Sequence, residues 1–502
     1  MINLIIFKKQ KKGEDIMKKI DKILFYSLIC FILIIVDGAS LAVFAQPQIF
    51  SPTGIEGIWE GNLKVFGTEL RIVCKISKNS DGTLTATLDS PDQGVTGIAV
   101  EKVMIKDNTL YLEINSVGGI FEGKISNDFL TIEGQWRQSG QSLPLTVKRV
   151  NTAIEILRPQ EPKKPYPYLE EEVFYENKEA KITLAGTLTL PSKEGNFPVV
   201  LLITGSGPQD RNEALAGHRP FLVLADYLTR QGIAVLRVDD RGVGRSTGDF
   251  SKATSEDFAS DVLAGIEYLK TREEINSKKI GLIGHSEGGI IAPMVAAKSS
   301  DVAFIVLMAG TGLIGEEILY LQGALIAKAM GVSEEVIAKN RQFDEKIFSV
   351  LKEEEDSEIA EKILRQMFMA DWEKMNEEEK KVIGDPEIYF KVQLQSLLSP
   401  WFRFFLTYDP KTTLSKVKCP VLAINGEKDL QVPPQENLSA IKEALQTGGN
   451  ENFTIKELPG LNHLFQTAQT GAPAEYAKIE ETISPVALKI ISDWILQQVK
   501  DK

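Results

Sequence analysis

The motif Gly-X-Ser-X-Gly over residues 284–288 carries the clearest chemical pattern of this sequence. The apolar run 279–283 predicts a buried strand before it, and residues 290–297 predict a helix after it. A turn this sharp accepts only glycine two positions before and two positions after the serine. It leaves the hydroxyl exposed where the helix dipole favours an oxyanion. We therefore predict that Ser286 is a nucleophile; the competing interpretation is a plain tight turn.

The chain offers few candidates for the base that a serine nucleophile needs. It contains three histidines, His218, His285 and His463. His285 adjoins the nucleophile, and adjacent strand side chains point to opposite faces, so we interpret it as a residue packed beneath the turn. His218 precedes an amphipathic segment, which is typical of a surface or capping residue. His463 ends an extended segment that runs into a loop, and we predict it as the general base.

The acid that orients the histidine is harder to choose, because acidic residues are abundant. Residues 419–424 predict another apolar strand, and Asp429 lies in the loop that follows. The chain order Ser286, Asp429, His463 is the order that accompanies a nucleophile on a strand-to-helix turn of this kind. Asp429 is therefore the predicted acid. Glu427, which lies closer to the strand end, is the alternative.

An oxyanion needs two backbone N–H donors, and one of them comes from the residue after the nucleophile, Glu287. The predicted strand 198–204 leads into a loop over residues 205–210, whose glycines allow the backbone to approach a substrate closely. The N–H of Ser206 is the predicted second donor, with that of Gly207 next to it. An ordinary Gly-Pro turn is the competing interpretation of this loop.

Residues 169–502 resemble the α/β-hydrolase superfamily, and within it serine carboxylesterases close to bacterial dienelactone-hydrolase-like esterases. Three motifs carry the resemblance: Gly-Ser-Gly-Pro-Gln-Asp-Arg over 205–211, Asp-Asp-Arg-Gly-Val-Gly-Arg-Ser over 239–246, and Gly-His-Ser-Glu-Gly-Gly over 284–289. Asp429 and His463 complete the pattern, since this superfamily keeps its base near the C-terminus. The resemblance implies a small-molecule ester substrate and no metal or organic cofactor.

Strands that alternate with helical stretches predict a mostly parallel, doubly wound α/β sheet for residues 169–502. Residues 312–410 interrupt it with amphipathic helical patterns, and the resemblance implies that they form a cap over the active site. Within the cap, the aromatic cluster 400–406 is expected either to line the acyl site or to pack the cap against the core. Residues 310–315 satisfy the dinucleotide motif Gly-X-Gly-X-X-Gly. They do not follow the first strand of a βαβ unit, so we interpret them as a flexible exit from the sheet.

A different pattern precedes the hydrolase-like part. Residues 54–150 alternate apolar and polar positions in short stretches, separated by turn signals such as Asp107-Asn108. We predict a small antiparallel β barrel or sandwich, weakly similar to lipocalin-like barrels, with a core filled by side chains. Residues 151–168 contain four prolines, which predicts a semi-rigid linker.

Residues 1–45 have the pattern of a secretory signal peptide. A basic start at Met17, an apolar core over residues 23–36 and small residues ending at Ala45 predict cleavage after Ala45. Translation would begin at Met17 or at Met1. Because the apolar run is short for a membrane crossing, we expect export to the periplasm or beyond, with no stable membrane span after cleavage.

Charge and cysteine content exclude other classes of function. The net charge is -12, and removal of residues 1–45 takes away seven lysines and four acidic residues, which leaves -15. A chain this acidic has no basic footprint for nucleic acid. The three cysteines, Cys30, Cys74 and Cys419, are too few for a disulfide framework. No feature of the sequence points to a particular oligomeric state.

These features together predict an exported serine hydrolase that cleaves carboxylic esters through a Ser286–His463–Asp429 triad and an acyl-enzyme. Two alternatives stay open. The same machinery cleaves amides, so the first is a serine peptidase or acylaminoacyl-type hydrolase, although the segment before residue 169 is too short for the propeller such peptidases carry. The second is a binding protein with a vestigial hydrolase fold, against which the full set of candidate residues weighs.

Overall fold

The computed structural model describes residues 54–65, 68–91, 95–138, 141–152, 157–377, 380 and 385–500. The predicted signal peptide lies outside them. The described residues form two compact units. The first comprises those up to 157 together with 332–340 and 361–395, and the second comprises 158–331, 341–360 and 396–500. The residues of the predicted cap are therefore divided between the two units.

The first unit is built on one antiparallel sheet of nine strands. They are β1 (Gly57–Val65), β2 (Thr68–Lys78), β3 (Leu84–Ser90), β4 (Val95–Val100), β5 (Lys102–Lys106), β6 (Thr109–Ile114), β7 (Gly119–Ile125), β8 (Thr131–Gln138) and β9 (Gln141–Val150). The strand order is β4-β3-β2-β1-β9-β8-β7-β6-β5. Asp107 and Asn108, between β5 and β6, have φ of 49° and 60°, which a two-residue hairpin requires.

A single apolar core fills the concave side of this sheet. Alternate residues of β6, Leu110, Leu112 and Ile114, are buried there with Trp59 of β1 and Phe121 of β7. A cavity in this core, lined by apolar side chains such as Trp59 and Phe121, has a volume of about 10 Å³, roughly enough for one water molecule. One core shared by all these strands means that the sheet curls on itself, as a barrel does, and that side chains fill it.

The second unit contains an eight-stranded sheet. Its strands are β10 (Leu169–Asn177), β11 (Ile182–Leu190), β12 (Phe197–Ile203), β13 (Ala234–Val238), β14 (Ile275–His285), β15 (Val302–Met308), β16 (Val421–Gly426) and β17 (Phe453–Leu458). They lie in the order β10-β11-β13-β12-β14-β15-β16-β17. Strand β11 runs antiparallel to both of its neighbours, and the pairs from β13 to β17 are parallel.

Helices cover both faces of the second sheet. The α-helices of the described chain are α1 (Pro220–Arg230), α2 (Ser255–Lys270), α3 (Gly288–Lys298), α4 (Gly315–Ala329), α5 (Glu334–Glu353), α6 (Ser357–Lys374), α7 (Pro386–Leu397), α8 (Pro400–Thr407), α9 (Lys411–Leu414), α10 (Pro434–Thr447) and α11 (Pro485–Gln498). None of them combines the length and the apolar character that a membrane crossing requires. Alternate residues of β12 face opposite cores: Val199 and Leu201 pack with α2, α3 and α10, and Val200 and Leu202 pack with α1 and α11.

This architecture is the α/β-hydrolase sheet that the sequence predicts. Because the parallel strands end at one edge, the loops after β12, β14, β16 and β17 meet there. Those are the loops that hold Ser206, Ser286, Asp429 and His463.

The predicted proline-rich linker belongs in part to the second unit. The Arg158 guanidinium donates hydrogen bonds to the carbonyls of Gly217, Ala477 and Ile479, at 3.0, 2.8 and 2.9 Å. Gln160 bonds to the backbone of Ile483. The segment from residue 158 onward is thus anchored to the unit that carries the site, and it is not a free spacer.

Candidate active site

Ser286 lies on a strained turn between β14 and α3. Its φ is 53°, in the left-handed region, and it is partly exposed while its neighbours are buried. A side chain at Gly284 would come within 1.9 Å of the Gly288 carbonyl oxygen, and one at Gly288 within 2.2 Å of the Ile203 carbonyl oxygen. Glycine is therefore required at both positions, which explains the motif and presents the serine hydroxyl at the helix N-terminus.

The histidine and the acid predicted from the sequence lie in hydrogen-bond contact. His463 Nδ1 lies 2.8 Å from Asp429 Oδ2, and both side chains are buried. Asp429 Oδ1 accepts hydrogen bonds from the N–H groups of Gln431 and Val432, both at 2.8 Å. A carboxylate held in this way keeps the proton on Nδ1, so Nε2 is free to accept a proton from a nucleophile.

Glu427, the alternative acid, has a different partner. Its carboxylate accepts a hydrogen bond from the Gly460 N–H at 2.7 Å and is exposed to solvent. It therefore ties together the loops after β16 and β17. The structure brings Asp429, and not Glu427, to the histidine.

The two predicted oxyanion donors lie in loops that flank the nucleophile. Gly205 begins the loop after β12, and a side chain there would lie 3.3 Å from Ser286 Cβ. Within the described part of the chain, no acceptor binds the N–H of Ser206 or that of Glu287. Both donors therefore remain available to a substrate oxygen.

His285 takes part in a second buried histidine–carboxylate pair. Its Nδ1 lies 2.9 Å from Glu213 Oε1, and its Nε2 lies 3.0 Å from the carbonyl oxygen of His463. Glu213 Oε1 also accepts a hydrogen bond from the Gly205 N–H at 2.8 Å. Sequence reasoning placed His285 beneath the turn but missed Glu213. The sequence offered only a weak signal for Glu213: it is a carboxylate eight residues after Gly205, and the chain has only three histidines with which it could pair.

His218 is not the surface residue that its sequence context suggests. It is fully buried, and its ring nitrogens lie 2.9 Å from Thr482 Oγ1 and from the carbonyl oxygen of Tyr476. Burial, together with the charge of Arg158, lowers the pKa of His218 to about 4. A neutral histidine there links two loops and is not a base. The expectation was wrong because its partners lie more than 250 residues away.

The side chain of Glu287 points into the protein next to the nucleophile. Its Oε1 accepts hydrogen bonds from Ser255 Oγ at 2.6 Å and from Trp401 Nε1 at 2.7 Å. Burial raises the pKa of Glu287 to about 7, although both hydrogen bonds act to lower it. Trp401 lies in the first turn of the aromatic helix α8, and its ring stacks on Phe405 with centroids 5.2 Å apart.

The motif over residues 239–246 holds loops in place. Asp239 binds the Arg211 guanidinium through two oxygens, at 2.9 and 2.6 Å. Asp240 accepts hydrogen bonds from Thr204 Oγ1 and from the Gln209 N–H, both at 2.9 Å, so it fixes both ends of the loop after β12. Burial raises the pKa of Asp240 well above its usual range.

The glycines of residues 310–315 serve close packing. A side chain at Gly289 would come within 2.5 Å of Gly310 Cα, and the Gly312 N–H donates to Asn437 Oδ1 at 3.0 Å. The segment leads out of the sheet, as expected, but it is held by backbone contacts and is not loose.

This chain is similar in sequence to several known proteins. Esterase EstD of Thermotoga maritima is 26% identical over 312 residues, which cover 62% of this chain and 65% of EstD. The chain thus spans less than two thirds of that relative's length. An uncharacterized 31.7 kDa protein of Escherichia coli is 25% identical over 54% of this chain and 87% of its own length.

Solved structures with similar chains include an esterase of Pyrococcus furiosus, 16% identical, covering 69% of this chain and 98% of its own, with a TM-score of 0.41. Est1E of Butyrivibrio proteoclasticus, solved with ferulic acid bound, is 16% identical over 65% of this chain and 99% of its own, with a TM-score of 0.37.

The S15 family of peptidases, described as X-Pro dipeptidyl-peptidases, has a family model that matches residues 150–456 of this chain. The matched region contains the Gly-X-Ser-X-Gly turn with Ser286, the motif over 239–246, and Asp429. It stops seven residues before His463. Since the match covers more than half of the 502 residues, this α/β-hydrolase chain belongs to the peptidase S15 family.

Proposed function

We propose that this protein hydrolyses carboxylic esters of small molecules through an acyl-enzyme. The observation that carries the proposal is the 2.8 Å bond between His463 Nδ1 and Asp429, at the sheet edge where Ser286 stands on its strained turn. The similarity to Esterase EstD favours an ester as substrate. The narrower likeness to dienelactone-hydrolase-like esterases stays a prediction.

The reaction follows from the roles of these groups. Ser286 Oγ attacks the ester carbonyl carbon while His463 Nε2 takes the hydroxyl proton, and the N–H groups of Ser206 and Glu287 bind the oxyanion. The intermediate collapses, and His463 gives the proton to the leaving alcohol. Water then attacks the acyl-serine while His463 takes a proton from it. The bond between the acyl carbon and Ser286 Oγ breaks, His463 returns the proton to Oγ, and the carboxylic acid is released.

A peptidase is the second candidate, because the S15 family is described as X-Pro dipeptidyl-peptidase. An amide needs the same nucleophile and base but has a poorer leaving group. The two candidates therefore differ in substrate and not in the three catalytic side chains.

One experiment separates these candidates from a binding protein without activity. Wild-type protein and Ser286→Ala are treated with a fluorophosphonate probe, and then assayed on p-nitrophenyl esters of two to twelve carbons and on Ala-Pro-p-nitroanilide. We expect labelling and ester turnover in the wild type and neither in the variant. Faster cleavage of the anilide than of every ester would favour the peptidase. Equal labelling of both proteins would refute the assignment of Ser286.

We also propose that the protein is exported, on the strength of the basic, apolar and small-residue pattern that ends at Ala45. N-terminal sequencing of protein recovered outside the cytoplasm should begin at Gln46. A start at Met1 or Met17 in that fraction would contradict cleavage.

A further inference from the structure

The buried Glu213–His285 pair joins three separate parts of the site. His285 is covalently next to Ser286, at the end of β14. Its Nε2 contacts the backbone carbonyl of His463, and the two imidazole rings lie 4.9 Å apart. Glu213 reaches the loop after β12 through the Gly205 N–H. The nucleophile, the base and the oxyanion loop are thus all connected to the Glu213–His285 pair.

The contacts of this pair determine its protonation. The two ring nitrogens of His285 face a carboxylate oxygen and a carbonyl oxygen, both of which only accept hydrogen bonds. A neutral imidazole has one N–H and would leave one of these contacts unfilled, whereas an imidazolium fills both. Glu213 Oε1 lies within hydrogen-bond distance of two groups, His285 Nδ1 and the Gly205 N–H. Burial lowers the pKa of His285, but the Glu213 charge and the hydrogen bonds raise it above its usual value.

We propose that Glu213 and His285 form a buried ion pair that positions the catalytic groups of this site. The pair fixes the His463 backbone and the Gly205 peptide relative to Ser286, so that base, nucleophile and oxyanion donors hold their mutual geometry. The inference rests on the proposed hydrolase function. Displacing such groups by about 1 Å lowers turnover by roughly a hundredfold, so loss of the pair should slow the reaction.

Other charged groups surround the pair and must be considered in any pH effect. Asp429 acts on His285 from the loop after β16 and favours its charged form. Asp240 interacts with the Glu213 charge from the loop after β13. The ring of His463 is a further neighbour, and the reaction requires it to be neutral before it takes the proton of Ser286.

Two variants test the role through the pH profile of kcat/KM. His285→Gln removes a positive charge 4.9 Å from the His463 ring and leaves the Glu213 carboxylate without its partner. Both changes favour the His463 imidazolium and move the acid limb to higher pH. Glu213→Gln leaves no such charge, so its acid limb does not move upward. We expect kcat to fall 10- to 100-fold in both variants with a smaller change of KM. Glu457→Gln, at an exposed position of β17, should keep the wild-type limb and rate.

Wild-type kcat in both site variants would overturn the proposal, and so would a lower kcat with the wild-type acid limb in folded His285→Gln. If the pair only stabilised the fold, its loss would lower the melting temperature without moving the acid limb. Melting curves are therefore recorded for all variants.

A measurement on the unmutated full chain does not depend on how the variants fold. Because the sequence has three histidines, selective ¹⁵N-histidine labelling gives few signals. At pH 7.5 we expect protons on both ring nitrogens of His285 and one on His218. A singly protonated His285 refutes the ion pair. Failure of the wild type to react with a fluorophosphonate refutes the proposed hydrolase function instead, so the two failures are distinct.

Discussion

Replacing Glu287 by glutamine tests how burial controls a carboxyl group next to the nucleophile. In the folded protein this carboxyl is enclosed between Ser255 and Trp401. Its pKa rises from 4.5 to about 7 because burial disfavours the charged form. Glutamine keeps the shape and can accept both hydrogen bonds, but it never carries the charge.

The pKa fixes the size and the sign of the effect. An acid whose pKa is raised by folding binds its proton more tightly in the folded state, so the contribution of Glu287 to stability is largest below pH 4.5. This contribution to the free energy of unfolding falls as the pH rises from 4.5 to about 7 and stays lower above that. The fall amounts to about 3 kcal/mol. The Glu287 charge also raises the pKa of buried Asp240. Removing that charge by the glutamine substitution therefore stabilises the variant further relative to the wild type at high pH.

Urea unfolding of wild type and Glu287→Gln at pH 4, 5, 6, 7 and 8 measures this difference directly. Since the chain has two compact units, loss of esterase activity is followed beside circular dichroism to identify the transition of the second unit. The stability of the variant relative to the wild type should rise by about 3 kcal/mol between pH 4 and pH 8. Glu256→Gln, at an exposed position of the same helix as Ser255, should show less than about 1 kcal/mol of change. A difference that is constant across this range would refute the reasoning.

Two further predictions concern the acid and the anchor of the linker. Asp429→Asn should lower kcat by about 10⁴-fold, because an amide favours the wrong tautomer of His463, whereas Glu427→Gln should change kcat less than about tenfold; the reverse order in steady-state kinetics would reassign the acid. Truncation before Leu157 should leave a hydrolase unit that melts cooperatively. Truncation before Tyr168 also removes Arg158, with its hydrogen bonds to the carbonyls of Ala216, Gly217, Ala477 and Ile479, and should cost about 2–4 kcal/mol in urea unfolding. Equal stability of the two truncated proteins would show that Arg158 does not anchor the segment.

Local sequence patterns were sufficient to predict the parts of the site that lie on regular elements. The apolar run before Ser286 and the glycines beside it follow from strand burial and from the sharp turn, both of which are local. Asp429 could be proposed because it lies in the loop after a buried strand and falls between Ser286 and His463 in chain order. The fold class follows from alternating strands and helices for the same reason.

Partners that are distant in sequence could not be predicted. Glu213 meets His285 across 72 residues, and Trp401 meets Glu287 across 114. His218 is buried by residues more than 250 positions away. A hydrogen bond between side chains leaves no periodic trace in the sequence, so burial of these polar residues is decided by tertiary structure alone.

Residues with a strained backbone lie in the same loops as the buried charged side chains. Ser286, Glu213, Ala309 and Phe465 have φ between 52° and 61°, in the left-handed region that side chains disfavour. Such conformations cost on the order of 1 kcal/mol or more each and persist where the surroundings impose them. Here the Ser286 N–H donates to the Met308 carbonyl at 2.8 Å, and the Glu213 side chain is bound on two sides.

The buried parallel strands supply the stability that offsets this strain. Because the loops are held by ion pairs and backbone hydrogen bonds, the oxyanion donors and the base need little rearrangement when a substrate binds. Loss of one buried partner should therefore slow the reaction well before it unfolds the protein.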